Sequence, residues 1–370
     1  MEINHMQPNS KPAATASMFR RAWKRFACIS AAGSLILTAI TPLAAAPKGY
    51  HWTNLVSDIP GVAKFTDPNL VNPWGLSIGS EFWVSNADTG TSTLYDLDGT
   101  PFSLVVAIPP SASSSEQVGA PTGNVFNSGS GFEVTRNGVS GPATFIFVSE
   151  DGGISGWNPT VSPNRAILAV DHGAEDAIYK GATLATTGDG DRLYAANFHA
   201  GKVEFYDQNF VEIDTDQTFV DPTLPQGYAP FGIQNINGLI YVAYAKQDAA
   251  KEDEVAGPGF GFVSVFDTSG NFIKRLISHG RLNAPWGLAL APQGFGKASG
   301  ALLVGNFGDG RINVFDIDSG AQAGLLRTAD GTPLAFDGLW ALLFVDTDLY
   351  FTAGIADEAH GLFGEIQADQ

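Results

Sequence analysis

The chain has 370 residues, 44% hydrophobic and 16% charged, with 43 glycines and 21 prolines, a turn-rich and strand-rich composition with apolar side chains enough for a sizeable core. A formal net charge of −18 weighs against nucleic acid and anionic membranes, whose phosphates repel it, and favours cations or neutral ligands. One cysteine, Cys28, excludes a disulfide framework.

In chain order, residues 1–46 read as an export signal. Arg20, Arg21, Lys24 and Arg25 form a positive stretch, Ala27–Ile40 is apolar, and Ala44–Ala46 offers a small-residue cleavage site. Pro47 fits poorly just after such a cut, and an uncleaved anchor is the alternative. The Arg20-Arg21 pair hints at twin-arginine export. Cys28 lies inside this segment, so the mature chain has no thiol, which suits a bacterial periplasmic or extracellular setting. Residues 47–370 are expected to form one domain.

That domain repeats itself. Tyr50–Asp58 alternates like a strand and stands alone. The first copy then runs NPWGL (Asn72–Leu76), FWVSNADTG (Phe82–Gly90) and STLYDLDG (Ser92–Gly99). The second is APTGNVF (Ala120–Phe126) with Ala143–Asn158. The third is YKGATLA (Tyr179–Ala185) with Asp191–Asp207. The fourth is APFGIQ (Ala229–Gln234) with Leu239–Lys246 and Gly261–Asp267. The fifth, Leu282–Asp316, is the fullest, with strands at Trp286–Leu290, Ala301–Gly305 and Arg311–Asp316. The sixth is Asp337–Phe344 with Asp348–Asp357 and Gly361–Ile366.

Six copies at roughly 50-residue spacing match the period of propeller blades. Each is a short antiparallel meander that cannot bury its faces alone, so the units stack around an axis. The reading is all-β, a six-bladed β-propeller whose ring is closed by the N-terminal strand joining the last blade. A β-sandwich or two barrels would not need a PWGL-type motif in every copy. Between the copies, Ile108–Val118 is a Pro/Ser-rich loop, Asn137-Gly138 marks a hairpin, and Lys246–Gly259 is a charged insertion within the fourth blade.

In such a ring the turn entering each first strand and the turn leaving each second strand share one mouth of the channel. Asn72 belongs to the entry set. Asn86, Asp88, Glu150, Asn197, His199, Lys246, Asn306, Asp309 and Asp357 belong to the exit set. Asn86, Asn197 and Asn306 recur at one place, which turn-shaping also explains. The second blade is read as putting Glu150 where the others have Asn. Glu150 and His199 are the candidate general bases. Asn72, Trp74, Asn86, Lys246 and Trp286 are candidate ligand contacts, the tryptophans serving otherwise as packing between blades. Asn197, Asn306 and Asp309 are candidate oxygen ligands for Ca²⁺ or another divalent cation. Asp96–Gly99 and Asp316–Gly320 resemble fragments of calcium loops but lack the downstream Glu, so turn chemistry is their plainer reading. There is no G-x-S-x-G, H-E-x-x-H, phosphate loop or dinucleotide fingerprint.

The NPWGL, SNADTG–LYDLDG and APWGL–VGNFGDGRINVFD motifs resemble those of a family of exported bacterial and fungal propellers related to NHL repeats, over about Asn54 to Ile366. That family has no agreed activity. More distantly the architecture is similar to gluconolactonase and paraoxonase propellers. This likeness implies a divalent cation held in the channel by Glu, Asn and Asp, and the opening of lactones or esters. Asn72 stands where gluconolactonases typically carry a metal-binding Glu, a departure that weakens the transfer of their site. The functional expectation is a secreted, monomeric propeller binding a small molecule, glycan or protein partner at the mouth. The alternatives are a cation-dependent hydrolase or lyase of a lactone, ester or sugar acid, and a cell-envelope scaffold.

Overall fold

The computed structural model describes residues 49–213 and 218–369. The expected export signal lies outside the described residues. The chain divides into Met1–Ala44 and Ala45–Gln370, and the second unit is a six-bladed β-propeller. Its innermost strands are Pro73–Ile78, Pro121–Phe126, Tyr179–Thr187, Tyr228–Ile236, Pro285–Leu290 and Leu339–Val345. Four blades are four-stranded meanders, and the third shows three strands among the described residues. In the sixth, Tyr50–Ser57 lies antiparallel to Leu362–Ala368, so the two ends of the propeller share one sheet. The Asn137-Gly138 hairpin forms with both residues at positive φ, pairing Arg136 with Val139.

The aspartates that end the third strands are turn formers. Asp96 Oδ1 accepts from the backbone N–H of Asp98 and Thr100, and Asp316 Oδ1 accepts from Ser319 N–H. Asp267 does the same for Ser269 and Asn271. The calcium-loop likeness of these stretches is thus spent on hairpin geometry.

The ring closes because the inner strands meet where there is no side chain. A Cβ built on Gly123 would lie 2.5 Å from Ala182 N, one on Gly181 2.9 Å from Phe231 O, and one on Gly287 2.6 Å from Trp340 O. Gly75 against Thr122 O and Gly232 against Trp286 O are tighter still. The equivalent sixth-blade residue is Ala341. The G of each PWGL-type motif is therefore a contact between blades, and backbone seals backbone around the axis. A cavity of about 40 Å³ lies at this ring, lined by Gly75, Gly123, Trp286, Gly287 and Ala341.

Replacing Gly232 by Ala is expected to destabilise the propeller by about 3 kcal/mol in urea unfolding, because the methyl group meets backbone that cannot step aside. Gly188→Ala, where a Cβ meets nothing within 4 Å, is the control and should leave the midpoint unchanged.

Candidate functional site

In all six blades the pairing of the first two strands slips at the same place, for example between Pro73 and Leu76, Tyr179 and Ala182, and Pro285 and Leu288. Two residues per blade fall in the slip. The second is the glycine of the inter-blade seal, or Ala341. The first is Trp74, Thr122, Lys180, Phe231, Trp286 or Trp340. A bulge of this kind re-aims side chains, and here it gathers them at the axis. Trp74 stacks on Trp340 with ring centroids 3.4 Å apart, and Trp286 meets both edge-on at 6.2 and 6.0 Å. Phe307 stacks on Trp340 at 4.2 Å. Thr122 instead donates to the Tyr179 and Val148 carbonyls.

Lys180 is the charged exception. Its side chain is 1% exposed and pairs with Glu150 Oε1, with Asp253 Oδ1 at 3.8 Å. Its Nζ lies 5.0 Å from the Trp74 ring and 5.6 Å from Phe198. Above this floor opens a cavity of about 670 Å³, walled by Asn72, Asp88, Glu150, Asp253, Glu254, Asp357 and Glu358. Asn72 Nδ2 donates to Glu358 Oε2 at 2.7 Å and to Asp88 Oδ1 at 3.3 Å, while Trp340 Nε1 donates to Asn72 Oδ1 at 3.2 Å. Trp74 Nε1 and Trp286 Nε1 are buried without a partner.

Asn72, Trp74 and Glu150 thus meet as expected residues of one cavity, while Trp286 packs edge-on against Trp74 and lines a separate, smaller cavity. Asp88 and Asp357 of the exit set also wall the larger cavity, and the remaining candidates do not join them. Asn86 is fully buried and donates to Thr91 and Thr93 Oγ1 in its own blade. Asn197 donates to Glu204 Oε1 and accepts from Ala200 N–H. Asn306 donates to Arg281 O and Asp309 Oδ1, and Asp309 lines an outer cavity with Arg281 and Arg311. Lys246 Nζ sits 4.3 Å over Phe260. His199 lines a neighbouring groove with Ser111, Asp151 and Asp176 that touches the mouth only through Glu150.

The reason is strand alternation. In five blades one backbone N–H closes the second strand onto the entry turn: Ala87 to Asn72 O, Glu150 to Ala120 O, Phe198 to Ile178 O, Phe307 to Ala284 O and Gly354 to Gly338 O. Glu150 is therefore equivalent to Ala87, Phe198 and Phe307. The true counterpart of Asn86, Asn197 and Asn306 in the second blade is Ser149. Neighbouring residues on a strand face opposite ways, so the asparagines turn into their blades. The predicted ligands Asn197, Asn306 and Asp309 do not converge. Among the described residues no group of three or more carboxylate or imidazole side chains is disposed to hold a metal ion.

Charge is concentrated and perturbed in the cavity. Burial works to lower the Lys180 pKa, but Glu150, Glu254 and Asp253 outweigh it and hold the ammonium above its ordinary value. Burial pushes the Glu254 carboxyl up to about 8, against the pull of Lys180, with Glu358 and Glu150 adding to the rise. Glu358 is also raised, chiefly by burial, while its bond from Asn72 opposes the shift. Backbone strain accompanies this. Asn72 has φ +47°, and Ala356, Asp357 and Glu358 hold φ of +58°, +51° and +65° in succession. Non-glycine residues leave the left-handed region when nothing holds them there, and such strain clusters at functional sites.

The fold and this mouth define a β-propeller with a polar cavity at one end of a closed channel. The chain is 36% identical over 331 residues to the uncharacterized protein R648 of Acanthamoeba polyphaga mimivirus, covering 85% of this chain and 80% of that one. It belongs to the family of that protein. The motifs pointed to bacterial and fungal relatives; R648 is viral. No family model matches. Among solved structures, a glucose dehydrogenase shares 13% identity at a TM-score of 0.52, covering 86% of this chain and 100% of its own. A streptogramin B lyase shares 10% at 0.50, covering 88% and 99%. Identities this low show the propeller fold alone.

Glu254 carries a pH prediction. A carboxyl with a raised folded pKa favours folding while it stays protonated, and this contribution is lost as pH rises from its unfolded value through about 8. Glu254→Gln should therefore raise the melting temperature relative to the parent chain more at pH 9 than at pH 5. An equal shift at both would show that the carboxyl is not held protonated.

Proposed function

We propose that the channel mouth binds a small, oxygen-rich molecule on its tryptophan floor and acts on it by proton transfer, as a hydrolase or lyase of a neutral lactone, ester or sugar. The observation that carries this reading is the buried Lys180–Glu150 pair at the base of a cavity of about 670 Å³. Clustered perturbed groups in a cleft mark functional sites. Lys180 would polarise a ligand oxygen, Glu150 would accept a proton, and Glu254, protonated near neutral pH, would donate one. Six carboxyl groups around one ammonium disfavour anionic ligands. The unpartnered indole N–H of Trp74, a residue of the cavity wall, supports a ligand rich in acceptors.

Binding without turnover is the second reading, favoured because Lys180 and Glu150 already satisfy each other. A glycan or protein partner would engage the same rim. Export to the periplasm or beyond, as a monomer, is part of the proposal. It is supported by the basic and apolar stretches before residue 47 and by the acidic composition. The chemistry proposed here takes no step through a metal ion.

The test is a panel of lactones, esters and neutral sugars, read by thermal shift for binding and by NMR for product. Glu150→Gln should lower turnover by about a hundred-fold or more while binding persists. Turnover should fall as pH rises through about 8, where Glu254 loses its proton. Binding with no product leaves the binding module, and the absence of any shift across the panel refutes a small-molecule mouth.

A further inference from the structure

We propose that the Lys180 ammonium is the resident cation of the mouth, standing among the carboxylates where a bound metal ion would otherwise sit. The inference rests on reading the mouth as the functional site, and it concerns what supplies the positive charge there.

Position is the first argument. The slip in each inner strand offers the axis one side chain, and the blades supply Trp74, Thr122, Phe231, Trp286 and Trp340 beside Lys180. Burying one ammonium among aromatic rings is costly unless it is paired, and packing would have been served by a fourth indole. The pairing is the second argument. Nζ contacts Glu150 and lies 3.8 Å from Asp253, with Trp74 and Phe198 beneath it. Carboxylates from an inserted loop of the fourth blade and from the second blade thus converge on one positive centre.

The donor set is the third argument. A hard divalent ion takes six to eight oxygens at about 2.3–2.6 Å. The asparagines that would complete such a shell turn into their own blades, where their amide nitrogens donate to Thr93, Glu204 and Arg281. With Lys180 in place, no group of three or more acidic or imidazole side chains among the described residues is disposed to hold a metal ion. A tethered ammonium needs no such shell, and it repels a second cation from the same place. The buried, unpartnered indole N–H of Trp74 is a further donor in this cavity, so the groups left over seek a ligand acceptor rather than another cation.

The experiment uses terbium as the cation probe, because its emission is sensitised by nearby tryptophan, together with melting curves in EDTA and in calcium chloride. The parent chain should show no change of melting temperature with either reagent and no saturable terbium emission that Glu150→Gln removes. Lys180→Met should gain saturable emission that the parent lacks. Lys180→Met combined with Glu150→Gln should lose it, and Lys180→Arg, which keeps the charge, should behave like the parent. A parent chain that melts lower in EDTA, or binds terbium as tightly as Lys180→Met, overturns the proposal. So does a folded Lys180→Met that gains nothing. If Lys180→Met does not fold, the parent and Lys180→Arg measurements still decide. Failure to find an organic ligand refutes the proposed function and leaves this result standing; a metal found in the parent does the reverse.

Discussion

Backbone-to-backbone contact around the axis is the constraint on which the molecule depends. Six strands can converge only if each presents nothing larger than a hydrogen, or once a methyl, to its neighbour. Glycine at 75, 123, 181, 232 and 287 meets that demand. The strand must slip out of register to bring the glycine to the seal, and the same slip turns the preceding residue to the axis. The fold thereby sets aside six side chains whose identity is free of packing rules within the sheet. Four are aromatic, one is Thr122, and one is Lys180.

The chemistry of the mouth follows from that single exception. An indole-lined base is a poor solvent for ions, so the field of Lys180 reaches Glu254 and Glu358. Glu150 is held by direct contact, while Glu254 and Glu358, half-buried at the mouth, have their carboxyl pKa values raised by desolvation. Left-handed geometry at Ala356, Asp357 and Glu358 keeps one of these acids against Asn72. The arrangement is tense in backbone and in charge at the same spot, and stability alone gives no reason for either.

Much of this was legible in the residues. The recurring motifs carry the blades and the closing strand, because a repeat of about 50 residues has few other solutions. Asn72, Trp74 and Glu150 come together at one cavity because they lie in or at the ends of those motifs. The asparagines misled because a one-residue offset reverses the direction of a strand side chain, and Glu150 was matched to Asn86 when its counterpart is Ala87. Lys180 was visible in principle: YKGAT aligns beneath NPWGL and APWGL, and it puts a cation where the others put an indole. Glu254 and Glu358 gave no such sign. They lie in loops without periodicity, and their closeness to Lys180 is a product of the closed ring.

The seal beneath the tryptophans has a consequence for traffic. With the rings of Trp74, Phe231, Trp286 and Trp340 packed against one another across it, the axis is a well and not a conduit. Whatever reaches Lys180 must leave by the way it entered, past the Asp253–Glu254 segment of the inserted loop. Small molecules and the free ends of larger ones can touch bottom; the middle of a long chain cannot be threaded through. Exchange at the rim, and not passage along the axis, then sets how long an occupant stays.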